Sequence, residues 1–89
     1  MKPKFRLGQI VATPNALGRL NQEDMHLAIQ RHARGEWGDV SSRDREENEL
    51  ALVEGLRLFS VYYDRRGVKF WIITEADRKS TTVLLPEDY

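Results

Sequence analysis

Apolar positions along this chain change their period once, near Leu56. Up to that point they recur every three to four residues, as one face of a helix does; beyond it they alternate, as a strand does. Met25, Ala28, Ile29 and His32 fall at i, i+3, i+4 and i+7. They predict a helix with one inward stripe, His32 at its end and His26 just beside it. Asn21 is placed to cap this helix. Glu23 and Asp24 fill its first turn, Arg31 and Arg34 its last, and Gly35 supplies a left-handed stop. Upstream, Thr13-Pro14 opens a shorter helix that Gly18 soon weakens, with Leu17 and Leu20 both expected to face inward. Downstream, Ser41-Ser42-Arg43-Asp44 has capping-box spacing. It starts a third helix whose stripe is Asn48, Ala51, Leu52 and Gly55, with Leu50, Val53 and Leu56 alongside. Between these two helices, Gly35-Glu36-Trp37-Gly38-Asp39-Val40 reads as a bent loop pinned by its indole.

The second half predicts strands. Leu58, Ser60 and Tyr62 alternate with Phe59, Val61 and Tyr63; Asp64-Arg65-Arg66-Gly67 is a hairpin turn; Val68 to Thr74 is a strand apolar on both sides, hence central. The polar connection Glu75 to Lys79 leads into a last strand, Ser80 to Leu85, which Pro86 ends. Residues 4–12 alternate only loosely and leave room for one short strand, Gln9–Ala12. The expected fold is therefore α+β, a single domain over 1–89. Its helical part, about 13–55, packs across one face of a three-stranded antiparallel meander, about 56–86. The last strand would be an outer one, and an open edge at Ser80 to Leu85 would permit a homodimer.

Composition narrows the function classes. Fourteen basic and fourteen acidic side chains cancel, which disfavours a non-specific nucleic-acid binder and a membrane-surface role. No apolar run nears the roughly 20 residues that span a bilayer, and the start is too short and polar for a secretory signal, so a cytoplasmic protein is expected. There is no cysteine, and His26 and His32 stand six apart, off a common helical face. No metal or cofactor is expected.

What chemistry remains is a set of polar groups beside the apolar strands. His32 suits general acid–base work, although a histidine at the end of a buried stripe more often satisfies a carbonyl. Glu75, Arg78 and Thr82 supply an acid or base, a bidentate phosphate grip and a hydroxyl. With His32 they make a kit for metal-independent RNA cleavage. Candidate binding residues are Trp37 in its loop, Asp44 and Asn48 four apart on one helix face, Arg57 at the start of the meander, and Asp77 in its second connection. Arg65 and Arg66 form a basic pair able to meet phosphates; each of these residues also has a plain structural reading as a cap, a turn or a solvated end.

Two stretches carry a family resemblance. Arg31-His32-Ala33-Arg34-Gly35-Glu36-Trp37-Gly38-Asp39-Val40, with Asn48, Ala51-Leu52, Gly55, Arg57-Leu58 and Ser60, is one. Trp71-Ile72-Ile73-Thr74-Glu75-Ala76-Asp77-Arg78-Lys79-Ser80-Thr81-Thr82-Val83-Leu84-Leu85-Pro86 is the other. Together they resemble a family of small bacterial plasmid-related proteins found on plasmids, phages and other mobile elements. The resemblance implies a prokaryotic cytosolic setting and transfers no catalytic residue. At the level of layout alone, helices followed by an antiparallel meander is similar to the barnase, RelE and colicin-type ribonucleases, without the strong basic surplus of RelE-like toxins. The leading expectation is a mobile-element accessory domain that binds a macromolecular partner, with protein favoured. A metal-independent endoribonuclease is the alternative, and a DNA-binding accessory factor the second alternative.

Overall fold

A computed structural model describes residues 2–89 as helices on one side of a four-stranded mixed sheet. The elements are β1 (Gln9–Ala12), α1 (Pro14–Arg19), α2 (Gln22–Ala33), α3 (Ser42–Glu54), β2 (Leu58–Tyr63), β3 (Lys69–Thr74) and β4 (Ser80–Leu84), then a 3₁₀ turn at Pro86–Asp88. The meander β2-β3-β4 is antiparallel as expected, with Ser60 opposite Ile72 and Ile72 opposite Val83. The sheet order is β1-β4-β3-β2, so the expected outer strand is interior. β1 lies parallel on β4, with Gln9 opposite Ser80 and Ala12 opposite Val83. That pairing fills the edge at Ser80 to Leu85 that an edge-strand homodimer would have used. A parallel neighbour needs a long crossover, here everything from Thr13 to Lys79, and leaves no hairpin signal between the two strands.

The helix ends form where the local chemistry directs them. Thr13 Oγ1 accepts from the Ala16 amide, Asn21 Oδ1 from the Asp24 amide and Ser41 Oγ from the Asp44 amide, each satisfying an otherwise orphaned N–H. Gly55 closes α3 in the left-handed conformation, φ 71°. At Gly38 (φ 76°) a Cβ would overlap the Val61 carbonyl oxygen, so only glycine lets the Trp37 loop lie against β2.

The side chains of Tyr62, Phe70, Ile72, Val83 and Leu85 meet Ala16, Leu20, Met25, Ala28 and Ile29, burying α1 and α2 against one sheet face. Toward the β2 side, Trp37, Ala51 and Leu58 form a second cluster with Phe5, Val40 and Leu52, which seats α3. Leu20 is buried as expected, but Leu17 is half-exposed: α1 ends at Arg19 and Leu20 is its extended C-cap, so the two do not share one helical face. The opposite sheet face carries Phe59, Trp71 and Tyr89 in edge-to-face contacts, beside the C-terminal 3₁₀ turn. Among the described residues no helix is long and apolar enough to cross a membrane.

Candidate functional site

His32 sits at the end of the α2 stripe with no solvent-accessible surface. Its Nδ1 lies 2.5 Å from Ser60 Oγ and its Nε2 2.9 Å from Thr74 Oγ1. Thr74 Oγ1 is 2.8 Å from Thr81 Oγ1, and Thr81 donates to the Leu7 carbonyl at 2.7 Å. The directions follow from that last bond. Thr81 gives its only hydroxyl proton to Leu7, so Thr74 donates to Thr81. His32 Nε2–H then donates to Thr74, and Ser60 donates to a bare Nδ1. Burial, with the Arg78 guanidinium nearby, pushes the imidazole pKa down to about 3. Phe5 and Trp37 stand edge-on to the ring at 5.2 and 5.8 Å. This is a closed polar chain in a dry core, with both nitrogens engaged.

Of the other three residues of the cleavage kit, only Arg78 comes near His32, both packing against Phe5. Arg78 adopts φ 61° and spends its guanidinium on the carbonyls of Ala51, Leu56, Glu75 and Ala76, tying the C-terminus of α3 to the β3–β4 turn. Glu75 pairs with Arg57 at 3.3 Å in a half-exposed contact, and Arg57 also donates to the Tyr89 hydroxyl. Thr82 alternates with Thr81 and so points from the sheet face away from His32. The four do not line one cleft.

The candidate binding residues resolve mostly into structural duties. Trp37 is buried and donates from Nε1 to Glu49 at 2.9 Å. Asn48 bonds both the amide and the carbonyl of Phe59, whereas Asp44, one turn earlier, is half-buried. Asp77 accepts from the Lys79 amide within its own turn. Arg65 is held by Glu23 and Asp24, and those carboxylates raise its pKa further. Arg66 donates to the Arg19 carbonyl and faces Asp64 at 3.7 Å. The basic pair is therefore neutralised by neighbours. Among the described residues no three His, Asp or Glu side chains converge as a metal site would require.

The two edges of the sheet are built differently, and that difference defines the site. On β2 the outward-facing backbone groups of Phe59 and Val61 are taken, and among the described residues only those of Tyr63, at the strand end, are left open. Asn48 covers Phe59; the Val61 amide donates to the Trp37 carbonyl, and the Val61 carbonyl accepts from the Asp39 amide. On β1 the Gln9 and Thr13 amides donate inward, to Lys79 and Val83 of the β4 side. By strand alternation, Ile10 and Ala12 turn their N–H and C=O groups outward. Among the described residues no covering element lies there: Ile10 is 48% and Val11 40% exposed. Beside this edge runs a groove of about 680 Å³ between β1, α1 and α2. Its apolar lining includes Ile10, Leu17, Met25 and Ile29, and its polar rim is Gln22, His26 and Gln30. A second hollow of about 400 Å³ shares Leu7 and Gln30 with it and continues toward Pro3 and Arg34. Sequence reasoning placed Met25 and Ile29 inward and a strand at Gln9–Ala12, but gave no sign that β1 was the open edge.

Compared with known proteins, the chain matches no family model, no curated protein and no solved structure.

Proposed function

We propose that this chain is a non-catalytic accessory domain of a bacterial mobile element, acting in the cytoplasm, that binds a protein partner by taking an extended segment along β1. The unequal treatment of the two sheet edges carries this reading. An unpaired strand edge is a liability that folded proteins usually cover, as β2 does here with Asn48 and the Trp37 loop. β1 instead offers two residues' worth of unpaired donors and acceptors next to an apolar groove. That is the arrangement of strand addition, in which main-chain bonds supply affinity and side-chain pockets supply selectivity. The plasmid-related resemblance of the Trp71–Pro86 stretch supplies the setting.

The test is selection of a displayed random-peptide library on the folded protein, repeated with Ile10→Pro. Proline is tolerated on an edge strand when the lost N–H faces solvent, so this variant keeps the β1–β4 pairing and deletes one outward donor. Enriched peptides that bind wild type and lose at least about tenfold in affinity for Ile10→Pro are expected, a loss of the size of one hydrogen bond or slightly more. Equal binding to both proteins would reject strand addition. A catalytic role has its own check: RNA incubated with the protein in EDTA should stay intact. Cleavage that Glu75→Gln or Thr82→Ala abolishes would overturn the non-catalytic reading.

A further inference from the structure

Charge along the chain is segregated around that edge. All fourteen acidic residues lie at or beyond Glu23, while Lys2, Lys4, Arg6 and Arg19 precede it. The segment that forms β1 and its approaches therefore carries cations and no anion. Arg19 is paired with Glu87, but Lys2, Lys4 and Arg6 have no ion-pair partner among the described residues. In sequence they flank Pro3 and Leu7, two of the residues lining the hollow that extends the groove, and the Lys4 side chain lies over Gly35 at the C-terminal end of α2, beside Ala33 and Arg34 of that hollow. No carboxylate lines either the groove or that hollow.

We infer that the segment captured on β1 is an acidic extended peptide, with an apolar side chain in the Ile10–Met25–Ile29 groove and carboxylates meeting Lys2, Lys4 and Arg6. This rests on the strand-addition reading above and adds the chemistry of the occupant. A second copy of this chain is the wrong occupant, because its own β1 segment carries no carboxylate to meet Lys2, Lys4 and Arg6. Nucleic acid is also a poorer fit. Three cations on a chain of zero net charge supply few phosphate contacts, and the apolar groove and outward amides would go unused.

Three labelled peptides test this by fluorescence anisotropy. Each has the same central run of alternating valine and threonine, with three glutamates, three glutamines or three lysines at each end. At low salt the glutamate peptide should bind about tenfold tighter than the glutamine one, and the lysine peptide weakest. Raising salt to about 0.5 M should shrink these differences. The double variant Lys4→Glu/Arg6→Glu should reverse the order while circular dichroism and melting stay near wild type, since both side chains are exposed. Equal binding of the three peptides, each weakened by Ile10→Pro, would overturn the acidic occupant and leave strand addition standing. No binding by any of them, or binding indifferent to Ile10→Pro, would overturn both. A dimer in light scattering that Ile10→Pro dissolves would show that a second copy takes the edge. Displacement of the glutamate peptide by equimolar single-stranded oligonucleotide would assign the cations to phosphate.

Discussion

Ser60, His32, Thr74 and Thr81 each bring a polar group into the core, and the chain of bonds they form leaves His32 no place for a second proton. Protonating Nδ1 would set two donors against each other at Ser60, so the ring stays neutral in the fold, with its pKa down at about 3. In the unfolded chain it titrates near the ordinary histidine value, about 6.5. Between those two values the unfolded state binds the extra proton, so stability rises with pH across this window and is lost as pH falls below about 6.5. Moving from pH 7 to pH 5 should cost about 2 kcal/mol, read as a lower urea midpoint. Asp24, Asp64, Asp88 and Glu36 have lowered pKa values, through partners such as Arg65 for Asp24 and Arg34 for Glu36, and weaken the fold only at more acid pH. A urea midpoint flat from pH 7 to 5 would contradict the closed hydrogen-bond chain. Gly38 gives a second residue-level prediction. Gly38→Ala combines a positive φ with overlap on the Val61 carbonyl, and should destabilise by about 2 kcal/mol or more in thermal melts. The position of His32 was legible from the spacing of Met25, Ala28 and Ile29. Its partners were not, because Ser60 and Thr74 lie 28 and 42 residues away and nothing local marks them.

At the scale of elements, helix caps and alternation carried most of the information. Asn21, Ser41 and Gly55 act through bonds to residues within four positions, so their roles follow from sequence alone. Edges are another matter. Whether a strand is covered depends on elements far along the chain, such as Asn48 of α3 on Phe59 of β2. Asn48→Ala would strip partners from the part-buried Phe59 amide and carbonyl together. About 2–4 kcal/mol of destabilisation is expected, with faster aggregation through the uncovered β2 edge. A loss below about 0.5 kcal/mol would mean that water replaces Asn48 and that the β2 edge is not sealed by it. Arg78 links the C-terminus of α3 to the β3–β4 turn through four carbonyls, a role for which the density of polar residues from Glu75 to Thr82 was only an indirect sign.

For the whole molecule, zero net charge concealed its distribution. The acid-free stretch before Glu23 was visible in the sequence, but its meaning depends on where β1 lies. A parallel pairing between residues 9–12 and 80–83 is a long-range choice that periodicity does not encode. The polar turn that the sequence singles out faces its own carbonyls and Arg57, while the apolar lining of the open groove includes Leu17, Met25 and Ile29, which read as core. The central claim is that a partner segment docks on β1, and amide and methyl NMR of the labelled protein titrated with a library-selected peptide tests it most directly. The largest shifts are expected at the Ile10 and Ala12 amides and the Met25 and Ile29 methyls, with the Ile10 and Ala12 amides newly protected from exchange. Shifts centred instead on Phe59, Trp71 and Tyr89, with the β1 amides unchanged, would contradict docking on β1.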